Sequence, residues 1–189
     1  MHCYADTGAG WYAMAALQNG GSAWAWVCGV LDLTWGELFD AAVAVPAGAG
    51  GVGFRPFLTG ERGGVAGPDE RGGWTGLHPG ATRADLARAA VEGVVFAVGA
   101  ASELLNGPAD GPVLLTGGGA RSAVVRQLVA DVLRRPVRHL RLRSASAVGA
   151  AVLAGRGVGL DVVPWREAGP LLEPRPSAAL DAAREQWRR

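Results

Sequence analysis

This 189-residue sequence predicts an α/β fold with a mixed sheet and flanking helices, on the strength of three stretches. Residues 113–134 read as a strand, three glycines and an amphipathic helix in immediate succession. Pro136 stops that helix, residues 137–142 alternate as a short strand, and a small-residue helix follows over 145–154. The second half therefore has βαβα order. Residues 82–106 carry the strongest helical signal in the chain and are apolar on nearly every side.

Taken in order, residues 3 to about 17 predict two short strands turned at Thr7-Gly8-Ala9-Gly10. Beyond Gly20-Gly21, Ser22 is the expected cap of a helix bearing Trp24, Trp26, Val27 and Val30. Thr34, with Glu37 three residues on, has the spacing of a capping box. Leu38, Ala41, Ala42 and Val45 then recur at helical intervals. Gly48 to Gly53 form a glycine-dense break. After Phe54-Arg55-Pro56-Phe57-Leu58 a polar, glycine-rich loop runs to Gly80, a length more often functional than idle. Thr82 and Asp85 cap the long helix, on which Asp85, Arg88, Glu92, Gly99 and Glu103 make one narrow polar stripe. The next helix is expected from Ala120 to Arg134, buried through Val124, Val125, Leu128, Val129, Val132 and Leu133. Residues 1–160 read as the domain. Residues 161–189 read as a proline-rich tail (Pro164, Pro170, Pro174, Pro176) with a terminal helix from Ser177.

Composition excludes several functions. Apolar residues make up 49% and the formal charge is +1. That is globular, and it carries no basic block suited to nucleic acid or an acidic membrane. The uncharged run from Ala9 to Leu31 is broken by Gln18-Asn19-Gly20-Gly21-Ser22, so it reads as two soluble elements rather than a membrane span. Cys3 and Cys28 have neither zinc nor disulfide-framework spacing and read as reduced thiols of a cytoplasmic protein. His2, His78 and His139 show no metal spacing. The seven tryptophans read as core or interface area. The chain has no lysine, which rules out a P-loop and leaves phosphate to backbone amides, arginine or metal.

The candidate site is the glycine run Gly117-Gly118-Gly119-Ala120-Arg121-Ser122. A strand feeding a helix through glycines lets a ligand approach free N–H groups closely. In open α/β sheets ligands bind beyond the carboxyl ends of strands. A tight turn in which glycine serves geometry alone is the competing reading. A degraded Rossmann fingerprint, with Arg138 or Arg141 as the NADP-type arginine, is a further alternative, but its third glycine is missing.

Gly72-Gly73-Trp74-Thr75-Gly76-Leu77, then seven residues, then Asp85-Leu86-Ala87-Arg88-Ala89-Ala90-Val91-Glu92 resembles the second signature of the FGGY family of carbohydrate kinases. Other landmarks resemble that family's C-terminal domain, xylulokinase branch, in the same order. They are Trp11-Tyr12, Gly20-Gly21-Ser22 with Trp26, Gly60-Glu61-Arg62, Arg71-Gly72, Glu92-Gly93, the glycine run, Gln127, Ala130-Asp131-Val132-Leu133 and Gly149-Ala150-Ala151-Val152-Leu153-Ala154. The resemblance implies a ribonuclease H-like, actin-like ATPase fold, with ATP and sugar meeting between two domains. It implies ATP and Mg2+ as cofactors and a xylulose-like ketose or polyol as acceptor. Gly118 and Gly119 would lie against the adenosine of ATP, Gly117 and Ala120 would shape the turn, and Ser122 would contact adenine. The family's catalytic aspartate, phosphate loop and sugar-binding domain would precede this sequence, so no catalytic or metal residue is assigned here. A separate N-terminal half or a homodimer is the expected partner. Glu61, Arg62 and Arg71 read either as cleft residues or as a salt-bridge network holding the long loop. The family pattern is departed from at Gly63-Gly64, Gly67 and Ser144.

Overall fold

The protein is described by a computed structural model covering residues 1–6, 10–62, 64–105, 111–142, 144–164 and 166–189. The strands β1 (His2–Ala5) and β2 (Trp11–Met14) pair antiparallel, with Tyr4 opposite Tyr12. Most of the expected turn between them, residues 7–9, lies outside the described residues. Helices α1 (Gly21–Leu31) and α2 (Trp35–Ala44) follow. Next, β3 (Gly53–Arg55) pairs antiparallel with β4 (Gly73–Thr75) at the two ends of the long loop. The long helix α3 (Arg83–Glu103) comes next. Its expected end at Asn106 is outside the described residues. The remaining elements are β5 (Val113–Leu115), α4 (Ala123–Leu133), β6 (Val137–Arg141), α5 (Ala145–Gly157), β7 (Glu167–Leu172) and α6 (Ala178–Trp187). In their sheet β5 and β6 are parallel and β7 joins β6 antiparallel, which is the expected mixed sheet.

Local sequence explains most boundaries. Both capping boxes form. Thr34 Oγ1 accepts from Glu37 N–H at 3.2 Å and Thr82 Oγ1 from Asp85 N–H at 3.2 Å, with each carboxylate returning to its threonine N–H. Two boundaries differ from expectation. The N-cap of α1 is Gly20, and Ser22 lies inside the helix with its hydroxyl donating to Gln18 O at 3.3 Å. The helix α4 starts at Ala123, because Gly119–Arg121 first make a single 3-10 turn.

The core is built around α3. From Ala87 to Ala97 every residue of this helix is buried. Gly93 lets β3 approach, since a Cβ there would lie 2.1 Å from Phe54 O. The polar stripe is internal at its centre. Arg88 Nε meets Glu92 Oε1 at 2.7 Å, with both residues buried. Glu92 also accepts Gly48 N–H at 3.1 Å, while the Arg88 guanidinium donates to Ala42 O at the end of α2. Each buried charge is thus paired and hydrogen-bonded, the condition under which such groups are tolerated.

Residues 161–189 are integrated rather than trailing. They supply β7, and α6 buries Leu180 and sends Trp187 Nε1–H to Phe54 O at 2.8 Å. Arg184 and Arg188 both reach Glu103, each at 2.5 Å, which ties α6 to the end of α3.

Burial holds the Glu92 carboxyl above its ordinary value of 4.5, opposed by Arg88 and Gly48 N–H. The folded state therefore binds a proton more readily than the unfolded chain. This contribution to stability is full below about pH 4.5 and is lost as pH rises through the folded pKa. Urea midpoints measured upward from pH 4.5 should show this fall, and Glu92→Gln should flatten it relative to the parent. Comparison with the parent removes the opposite trends of Glu37 and Asp85, whose carboxyls are held low by their capping hydrogen bonds. Identical slopes in the two proteins would refute the assignment.

Candidate functional site

The glycine turn follows β5 directly. Gly117 has φ 99°, a left-handed conformation that favours glycine. Arg121 N–H closes on Gly118 O at 3.1 Å and Ser122 N–H on Gly119 O at 3.2 Å. Arg126 Nη1 then holds the Ala120 and Arg121 carbonyls at 2.8 and 2.9 Å. Ser122 is the N-cap of α4, its side chain accepting from Val125 N–H at 3.5 Å.

A ledge of aromatic rings faces this turn. Trp24 of α1 is fixed by its indole N–H, which donates to Ala90 O of α3 at 3.1 Å. Its ring meets Phe39 edge-on with centroids 5.5 Å apart, and Phe39 lies 6.1 Å from Trp35. Trp35 and Phe39 are one helical turn apart on α2, so they share a face. Between ledge and turn is a cavity of about 640 Å3, within the range of small-molecule sites. Gly118, Gly119, Arg121 and Ser122 form one side, and Trp35, Phe39 and Asp40 the other. A Cβ on Gly118 would meet nothing within 4 Å, whereas one on Gly119 would lie 3.0 Å from Trp24 Cζ3. Gly118 thus leaves the cavity open, and Gly119 lets the turn rest on the Trp24 ring.

Of the five residues expected in the site, Gly118, Gly119 and Ser122 line this cavity. Gly117 lines a second hollow behind the turn, and Ala120 is buried beneath it. Gly21, Trp35, Phe39 and Asp40 were not anticipated. Trp35 is 46% exposed and lines the cavity. The i, i+4 spacing of Trp35 and Phe39, off the Leu38/Ala42 core face, was the available signal.

The other candidates are structural or isolated. Glu61 is buried, and its carboxylate accepts N–H groups of Gln18, Asn19 and Arg62 at 2.7, 3.3 and 2.9 Å. The lock on the long loop is therefore built on amides, not on the expected ion pairs with Arg62 and Arg71. Arg71 instead donates to its neighbouring Glu70 carbonyl at 2.8 Å. Gly63 lies outside the described residues. Among those described, no group of three or more His, Cys, Asp or Glu side chains could hold a metal ion. The Rossmann alternative is disfavoured by β7, which is antiparallel where that fold continues in parallel.

The structure has the ribonuclease H-like, actin-like ATPase class of fold. A xylulose kinase structure from Lactobacillus acidophilus superposes with a TM-score of 0.77 at 28% identity, covering 90% of this chain and 37% of that one. Residues 2–158 match the C-terminal domain of the FGGY family of carbohydrate kinases, and the chain belongs to that family. Glycerol kinase of Thermus brockianus is 39% identical over 149 residues, 75% of this chain and 30% of the relative. Xylulose kinase of Staphylococcus epidermidis is 30% identical over 162 residues, 84% of this chain and 32% of the relative. The chain therefore spans about a third of the length of these relatives.

The two glycines should respond differently to a methyl group. Gly118→Ala should leave the melting temperature nearly unchanged. Gly119→Ala should cost about 1 kcal/mol, because Trp24 is pinned and must yield, and should alter the near-ultraviolet circular dichroism of the tryptophans. Equal stability of the two variants would contradict the packing described.

Proposed function

We propose that this chain is the nucleotide-binding part of an ATP-dependent carbohydrate kinase, which transfers the γ-phosphoryl group of ATP to a hydroxyl of a xylulose-like ketose or polyol. The observation that carries this reading is the open cavity between the glycine turn and the aromatic ledge, in a domain whose family phosphorylates carbohydrates. A flat base suits the slot between Gly118 and Trp35, and aromatic stacking favours it without demanding charge. Gly117, Gly118, Gly119, Ala120 and Ser122 form the cradle, with Trp35 and Phe39 as its opposite wall.

In the complete reaction the sugar hydroxyl attacks the γ-phosphorus in line, its proton passes to a base, and ADP leaves. Closure over the reactants would exclude water. Residues of this chain bind and orient the nucleotide. The base and the sugar contacts belong to the part of the family that the chain does not span, so these 189 residues alone are not expected to phosphorylate sugar. Mg2+ would accompany ATP, but the described residues offer it no ligand cluster, so no step is assigned to it here. We assign the enzyme to the cytoplasm. Among the described residues no helix is long and apolar enough to cross a membrane.

The hairpin supports a partner from the rest of the kinase. All residues of β1 and β2 are exposed, including Trp11 at 75%, and an isolated two-stranded hairpin is marginal in water. An N-terminal kinase part, in one longer polypeptide or as a separate half, would cover it.

Thermal melting tests the nucleotide reading. At about a hundred times Kd, ATP should add about 2.7 kcal/mol, a rise on the order of 5–10 °C for a chain of this size. NADPH should add nothing. Gly118→Val points into open space, so it should fold normally and abolish the shift. Survival of the shift in that variant would place the site elsewhere, and a shift with NADPH but not ATP would reinstate the dinucleotide reading.

A further inference from the structure

A separate cavity of about 410 Å3 lies among α2, α4 and the end of β7, a volume within the range of small-molecule sites. It shares no lining residue with the aromatic cavity. Its walls are apolar where Val43 of α2, Val124 of α4 and Leu172 of β7 contribute, and Val43 is 67% exposed. Its charges are unbalanced, with Arg88, Arg126 and Arg175 set against Asp131.

The three arginines differ in what they have left to offer. Arg88 is only 8% exposed, and its charge is answered by Glu92 at 2.7 Å. Arg126 spends Nη1 on the Ala120 and Arg121 carbonyls at 2.8 and 2.9 Å. Its Nε and Nη2 carry no hydrogen bond among the described residues. The guanidinium of Arg175 carries none either.

The backbone of Arg175 is nevertheless fixed. Its N–H donates to Asp131 Oδ1 at 2.7 Å. Gln127 Nε2 donates to the same oxygen at 2.8 Å and to Glu173 O at 3.0 Å. Pro174 and Pro176 on either side narrow the backbone further. The one acid of the cavity is thus engaged in holding a cation in place. Gln127 and Asp131, one helical turn apart on α4, are the two residues that build this support. A fixed, unpaired arginine beside apolar walls suits a ligand with an anionic head and an apolar body, and a guanidinium matches carboxylate geometry in a bidentate manner.

We propose that the cavity among α2, α4 and β7 is a binding site for a small organic carboxylate, its carboxylate on Arg175 and Arg126 and its hydrocarbon part against Val43, Val124 and Leu172. Support of the arginine backbone in advance lowers the ordering cost of such binding.

Nuclear magnetic resonance titration of the 189-residue protein with hexanoate and with hexanol tests this. Hexanoate should shift the side-chain amide of Gln127 and the methyl groups of Val43 and Val124, and saturate. It should bind about 10- to 100-fold more tightly than hexanol, the range of a charge-assisted hydrogen bond. Arg175→Glu should remove that preference. Val43→Asp, which sets a like charge on the α2 wall, should weaken hexanoate about 10-fold or more. Both positions are exposed, and melting without ligand verifies folding. Arg175 also borders a neighbouring hollow together with Arg134 and Ser177, so Arg134→Ala serves as the control and should leave hexanoate binding within about twofold. Equal affinity for hexanol would mean an apolar groove without an anion site and would overturn the proposal. Unchanged hexanoate binding in Arg175→Glu or Val43→Asp would overturn it too. So would a loss in Arg134→Ala as large as that in Arg175→Glu, which would move the site to the neighbouring hollow, and so would the absence of shifts at Gln127, Val43 and Val124.

Discussion

The near-complete burial of α3 is the constraint on which the other elements depend. A helix with no solvent face at its centre must satisfy its charges internally, and Arg88 and Glu92 do so by pairing one turn apart. Their remaining valences are not idle. Arg88 reaches the Ala42 carbonyl near the end of α2, and Glu92 reaches the N–H of Gly48 just beyond it. One buried ion pair therefore fixes where α2 ends and how the chain leaves it. Breaking either partner would strand the other in a low-dielectric interior, which is far costlier than losing a surface pair.

The candidate site inherits its geometry from that helix. Because the end of α2 is tied to α3, the outward face of α2 holds Trp35 and Phe39 toward the glycine turn. Because Ala90 of α3 accepts the Trp24 indole N–H, the ring on which Gly119 rests is fixed as well. The α2 face of the aromatic ledge and the Trp24 ring are thus both anchored to one stretch, residues 88–92, of a single buried helix. Preorganisation of this kind lowers the ordering cost of binding more than additional contacts would.

Sequence legibility followed the range of the interactions involved. The boxes Thr34/Glu37 and Thr82/Asp85 act within three residues, and both were readable. The strand–glycine–helix passage at 113–134 was readable for the same reason, although its helix begins three residues later than expected. Ser22 misled because a serine after two glycines carries an N-cap signature, whereas Gly20 had already taken the cap. The Arg88/Glu92 pair was visible as a polar stripe, but periodicity alone does not say whether such a stripe meets water or another buried charge. The aromatic ledge was missed because its partner, the turn at Gly118, is some eighty residues away in sequence. The Glu61 lock was misjudged in kind. A glutamate among arginines suggests ion pairs, yet here the backbone amides of Gln18 and Asn19, just ahead of α1, are the donors.

The same physics divides the molecule into parts of unequal stability. The cradle draws on α1, α2 and α4, all packed on α3, so opening it would expose much of the core. The hairpin β1–β2 has no buried residue, and its cross-strand association rests largely on backbone hydrogen bonds and the Tyr4–Tyr12 stack at 5.5 Å. Segments with little buried apolar contact open at a small fraction of the global free energy. Order in the hairpin is therefore only weakly coupled to order in the cradle. A site whose walls are held by one buried helix can keep its shape whether or not the hairpin is covered. The geometry of the candidate site thus belongs to this unit by itself.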